Sequence, residues 1–100
     1  MTCYLMVKSD TTLVNKKEFE NWYANEHLNE AKKAFMAKNA KRGWINNTNF
    51  HLAIYEFENN VDAEKAINSK NLEILIKKFD QKWKNKVKRT RELTELIQII

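Results

Sequence analysis

Residues Phe50–Phe57, FHLAIYEF, decide how this chain is read. Aromatic and β-branched side chains dominate the octet, and Asn46, Asn47, Thr48 and Asn49 precede it as a turn cluster, which is the composition and punctuation of a β-strand. Side chains alternate across a strand, so Phe50, Leu52 and Ile54 share one side while Ala53, Tyr55 and Phe57 share the other. Neither side is made for water. A strand of this kind needs two covers, and the helices of so short a chain supply only one of them.

The neighbouring segments complete the pattern. Residues 37–45 mix Lys38, Lys41 and Arg42 into their alternation, but Trp44 and Ile45 beside the only glycine, Gly43, favour an extended edge that pairs with Phe50–Phe57 as a hairpin. Residues 2–8 read as a first strand in which Cys3, Leu5 and Val7 alternate with Tyr4 and Met6. Asn15, with Glu18 three positions later, is an N-cap and capping-box signature, because each side chain can satisfy an orphan N–H at a helix start. The helix that follows carries Phe19, Trp22 and Tyr23 on one stripe. Leu28, Ala31 and Phe35 are rotated more than about 90° from them, which predicts a bend or break over residues 26–28.

A short helix is expected over 61–69. From Leu72 onward Leu75, Ile76, Phe79 and Trp83 recur on one helical face, with a bend at 69–71 between the two. At the end of the chain Val87, Arg89, Arg91 and Leu93 alternate as in a strand, although Leu93, Leu96, Ile97 and Ile100 also suit a helix. We follow the strand to about Leu96. The order is β-α-β-β-α-β, an α+β, ferredoxin-like sandwich in a single domain spanning 1–100, with helices on one side of one sheet. Covering the other face with a second copy would bury side chains worth roughly 1.5–3 kcal/mol each, so a homodimer is expected.

Composition narrows the function classes. With 43% hydrophobic and 31% charged residues the chain is an ordinary globular protein, and no apolar run is long enough to span a bilayer. Residues 1–8 are too short and too polar at their end for a signal peptide, and one cysteine, Cys3, cannot close an internal disulfide, so a cytoplasmic setting without membrane association is expected. The net charge of +5 is concentrated in residues 82–91, KWKNKVKRTR, which hold six of the 18 basic side chains and no acid. The remainder is near neutral, which argues against a generally cationic, nucleic-acid-binding surface. Lys41, Arg42, Gly43 and Trp44 echo the start of an RNA-recognition motif, but Ile45, Asn46 and Asn47 break it.

Three segments together carry a family likeness: FENWYANEHL from Phe19, then FHLAIYEF, then FDQKWKNKVKRTRE from Phe79. The chain resembles the dimeric α/β-barrel superfamily, in particular its small bacterial members. The resemblance implies a ferredoxin-like protomer whose dimer forms a barrel, with each ligand cavity between sheet and helices. Cofactor-independent monooxygenases, cyclases, lactone isomerases and haem-degrading enzymes share that frame, so it implies no single reaction. Asn29 stands where such sequences often have proline, and the second strand lacks their Pro-Gly start.

Within this frame His27 is the leading catalytic candidate. It lies at the predicted bend beside Tyr23 and Glu26 and belongs to the residue type that titrates near neutrality, so a Glu–His or Tyr–His pair can move a proton. Glu26 and His27 can equally serve to pin the bend. His51 joins them if the face of Ala53 and Tyr55 lines the cavity. Trp22, Glu26, Trp44 and Tyr55 are candidate pocket residues for a small apolar or aromatic ligand, while Trp83 continues the core stripe of the last helix. Two histidines 24 positions apart match no metal-ligand pattern, and with one glycine there is no phosphate loop, so no metal and no cofactor is expected. The readings carried forward are a cofactor-independent oxygenase, cyclase or isomerase, and a binding or regulatory module without catalysis.

Overall fold

The protein, described here over residues 1–100 as a computed structural model, runs β1 (Cys3–Asp10), α1 (Lys16–Trp22), a π-helical turn (Tyr23–His27), α2 (Leu28–Phe35), β2 (Asn39–Trp44), β3 (Phe50–Phe57), α3 (Asn60–Ile67), α4 (Lys70–Trp83) and β4 (Lys88–Glu95). The four strands form one sheet in the order β2-β3-β1-β4, each neighbouring pair antiparallel. This is the β-α-β-β-α-β sandwich read from the sequence.

The helix starts have identifiable causes. Asn15 Oδ1 accepts from the Glu18 N–H at 2.9 Å, Asn59 Oδ1 from the Asp62 N–H at 2.9 Å, and Ser69 Oγ from the Leu72 N–H at 3.2 Å. Each satisfies a donor that the helix itself leaves orphaned. The Ser69 cap splits the predicted bent helix into α3 and α4. The capping box is only half made, because the Glu18 carboxylate instead meets Lys82 Nζ at 3.5 Å.

Register puts Leu5 opposite Tyr55, Val7 opposite Ala53 and Ser9 opposite His51, and this face is buried beneath the helices. Phe19, Tyr23, Leu75 and Phe79 pack onto it from the helical layer in one hydrophobic cluster. The other face is half-covered at its centre by Tyr4, Met6, Phe50, Leu52 and Ile54, while β4 contributes only Lys88, Thr90, Glu92 and Thr94. The second apolar face expected from the alternation therefore belongs to β1 and β3 and stops short of β4.

Some boundaries shift. β1 extends two residues past Lys8, and β2 is confined to Asn39–Trp44. The ambiguous end is a strand to Glu95, after which residues 96–100 are neither strand nor helix. The basic segment divides by orientation: Lys82, Lys84, Lys86 and Lys88 are exposed, whereas Arg89 turns toward the helices.

Candidate functional site

Phe19, Tyr23, His27, Ala31 and Phe35 are all buried, four residues apart. In a continuous α-helix, residues at that spacing drift about 40° per step, so the stripe would swing about 160° around the axis and leave the core. The π turn over Tyr23–His27 winds more slowly and takes up much of the drift, so one face continues from α1 into α2. The bend read from the sequence is thus a change of winding that turns both Tyr23 and His27 inward.

They meet at a cavity of about 20 Å³ between the sheet and α2 and α4. Its polar lining is Tyr23, His27, Tyr55, Arg89 and Arg91, and no carboxylate is among its residues. The Tyr23 and Tyr55 hydroxyls stand 3.4 Å apart. His27, 4% exposed, is stacked on Trp22 at 4.6 Å between ring centroids and lies edge-on to Tyr23 at 4.9 Å. Its Nδ1 is buried without a hydrogen-bond partner.

The electrostatics follow from burial. Desolvation, then the positive charge of Arg89, lowers His27 to about 4, so the ring is neutral at pH 7. Burial raises Tyr23, and raises Tyr55 well above its ordinary value, so both phenols keep their protons. Arg89 has a side chain only 10% exposed, lies 3.6 Å from the Phe79 ring centroid and meets Asp80 at 3.4 Å. Burial and the neighbouring Arg91 lower it to about 10, which still leaves it charged. Arg91 is exposed and is in none of the chain's ion pairs.

The void is about the size of one water molecule. Phe35 is its wall on one side and also lines a surface groove of about 310 Å³ between α2 and α3.

His51 sits in a second cluster on the same sheet face. It is fully buried, its Nε2 accepts from Arg42 at 3.5 Å, Arg42 is ion-paired with Glu20, and the Trp44 indole N–H donates to Glu20 at 2.8 Å. Burial and the Arg42 charge lower His51 to about 4. Its ring centroid is 4.3 Å from that of Tyr23, so it backs the tyrosine without lining the cavity.

Of the residues singled out from the sequence, Tyr23, His27 and Tyr55 come together, and Trp22 supports the His27 ring. Trp44 belongs to the Glu20 cluster. Glu26 departs from expectation: it is exposed, because a turn that directs residues 23 and 27 inward directs those between them outward. Arg89 and Arg91 were not recognised as site residues. Their signal was present in the alternation with Val87 and Leu93, which set two cations on a strand's inner face.

No protein-family model and no curated protein sequence matches the chain. Solved structures do. An EthD-family protein from Bacillus halodurans superposes with a TM-score of 0.75 at 16% identity, over 97% of this chain and 100% of the other. SnoaB, a cofactor-independent oxygenase from Streptomyces nogalater, gives 0.65 at 13% identity over 98% of this chain and 96% of its own. What these proteins share with the chain is the ferredoxin-like α+β fold. The Tyr23–His27–Tyr55 cavity lies between its sheet and helices. No helix is long and apolar enough to cross a membrane, and no three His, Cys, Asp or Glu side chains are grouped to hold a metal ion.

Proposed function

We propose that this chain is a homodimeric barrel protein that binds a small, flat, largely apolar molecule in the Tyr23–His27–Tyr55 cavity and moves a proton on it without a cofactor. The observation that carries the reading is a buried histidine with an unpartnered Nδ1 that lines one cavity with two tyrosines whose hydroxyls share one long hydrogen bond. A neutral imidazole offers a lone pair. It is a weak base while its pocket is dry, but transfer of a proton from a carbon beside a carbonyl would leave an enolate next to the new imidazolium. In a site of low dielectric that ion pair offsets the penalty that keeps the free ring neutral. The tyrosine pair has a spare O–H to donate to the developing oxyanion, which stabilises it at the moment of transfer.

The likeness to SnoaB supports cofactor-independent oxygenation as the use of such an enolate, with dioxygen as the second substrate. The outer sheet face supports the dimer: Met6, Leu52 and Ile54 form an apolar centre flanked by both signs of charge, Lys8 and Lys41 with Glu56 and Glu92. Such a surface can pair with its own copy about a two-fold axis. The lone, buried thiol of Cys3 fits a reducing, cytoplasmic compartment.

Deuterium exchange at the α-carbon of 2-tetralone, a flat aryl-fused ketone, tests the reading. Exchange in D2O should run faster with the protein than in buffer, fall at least about tenfold in His27→Gln and fall less in Tyr55→Phe. Binding of the ketone with no acceleration of exchange would leave a binding module and remove the catalytic claim.

A further inference from the structure

We infer that the cavity is built for an anionic oxygen, and that its ligand is a flat molecule bearing a carboxylate, phenolate or enolate seated against Arg89 and Arg91. The inference rests on the reading above and adds the charge of the molecule the site takes. Arg89 and Arg91 carry the only full charges in the lining, since Tyr23, His27 and Tyr55 are neutral and no acidic residue borders the space. The nearest acids are already engaged, Asp80 with Arg89 and Glu30 with Lys78 at 2.7 Å.

The Arg89 guanidinium is also under-supplied with acceptors. A guanidinium has five N–H donors. Arg89, nearly buried, has one long contact to Asp80, and Arg91 has no ion pair at all. Two residues apart on one strand, they face the same way, so each cation also bears the repulsion of the other. A buried charge in that position is costly unless something of opposite sign completes it. An anionic oxygen placed between them relieves the desolvation and the repulsion together, and Tyr23, Tyr55 and His27 line the same cavity.

The test uses the full chain at pH 7 with 2-naphthoate and its uncharged counterpart 2-naphthamide. Affinities are read by calorimetry and the site by amide shifts at Val7, Ala31 and Leu75. We expect naphthoate to bind about tenfold or more tighter than naphthamide, and that preference to shrink several-fold in Arg91→Gln and at high salt while naphthamide binding is unchanged. Arg91 is exposed, so its replacement spares the fold. Equal affinities for the two probes would overturn the charge inference and leave the apolar pocket standing. Shifts by neither probe at those amides would overturn both readings. A full preference retained in Arg91→Gln would overturn the assignment of the charge to this pair.

Discussion

At the scale of single residues the candidate site is a contrast between what burial does to a side chain and what its neighbours allow. His27 was legible because histidine at a predicted break in helical periodicity is an unusual placement. Its neutrality was not, since that depends on the depth of the cavity and on Arg89, which lies sixty-two positions away. Arg89 and Arg91 stand apart from Lys84 and Lys86 in the sequence by alternating with Val87 and Leu93, but which side of the sheet they face is set by strand register. Phe35 reads in the sequence as core, and in the fold it lines both the cavity and the groove. Replacing it with alanine removes the edge-on contact with Tyr55, at 5.2 Å between centroids, and should open the cavity toward the groove. We expect Phe35→Ala to cost about 3–5 kcal/mol in urea unfolding and to bind 2-tetralone more tightly than the parent. An affinity unchanged in a folded variant would show that Phe35 does not control access.

At the scale of elements the π turn is the feature on which the site depends. The sequence announced it as a rotation between two apolar stripes, Phe19–Trp22–Tyr23 and Leu28–Ala31–Phe35, and the structure reconciles them by slower winding. What periodicity did not show was the consequence for individual side chains: Trp22 leaves the stripe and His27 enters it. Deleting Ala24, an exposed residue within the turn, should convert the segment to ordinary α-helix, because the spacing of 4, 3, 4 and 4 then left between Phe19, Tyr23, His27, Ala31 and Phe35 keeps all five within about 80° of one another at about 100° per residue. Ala31 and Phe35 would then stay on the sheet. The expected outcome is a folded variant that loses about as little as Ala24→Gly, about 1 kcal/mol. A deletion variant several kcal/mol less stable than Ala24→Gly in chemical denaturation would mean that the turn does not store one extra residue.

At the scale of the whole molecule, the alternation in Phe50–Phe57 was enough to read a sheet with helices on one side, and its second apolar face is the basis of the proposed dimer. The polar outer side of β4 was not legible, because the end of the chain alternated ambiguously between strand and helix. If the dimer forms through Met6, Leu52 and Ile54, then Ile54→Glu places two like charges in a dry interface. Wild type should sediment at twice the 12.0 kDa chain mass and the variant at that mass, with unchanged far-ultraviolet dichroism. A wild-type chain that remains at the single mass at high concentration would remove the interface.

The two buried histidines give the molecule a pH dependence with a definite sign. Each sits near 4 in the folded chain and near 6.5 when unfolded. Between those values the unfolded chain binds two protons that the folded chain refuses, so stability is complete above about pH 6.5 and falls as the pH drops toward 4. Each ring accounts for a loss of order 3 kcal/mol across that window. Glu20, lowered by its hydrogen bonds from Arg42 and Trp44, acts in the same direction but at lower pH, since its contribution is present above the ordinary carboxylate range and lost below it. The histidine effect is therefore separable by measuring urea midpoints from pH 7 to 5 at fixed protein concentration. His51→Gln keeps an acceptor for Arg42 and cannot titrate, so its midpoint should fall about half as steeply as that of wild type over this range. A wild-type midpoint that does not move between pH 7 and pH 5 would mean that the imidazoles are not held neutral by burial, and the uncharged base on which proton transfer depends would be lost with it.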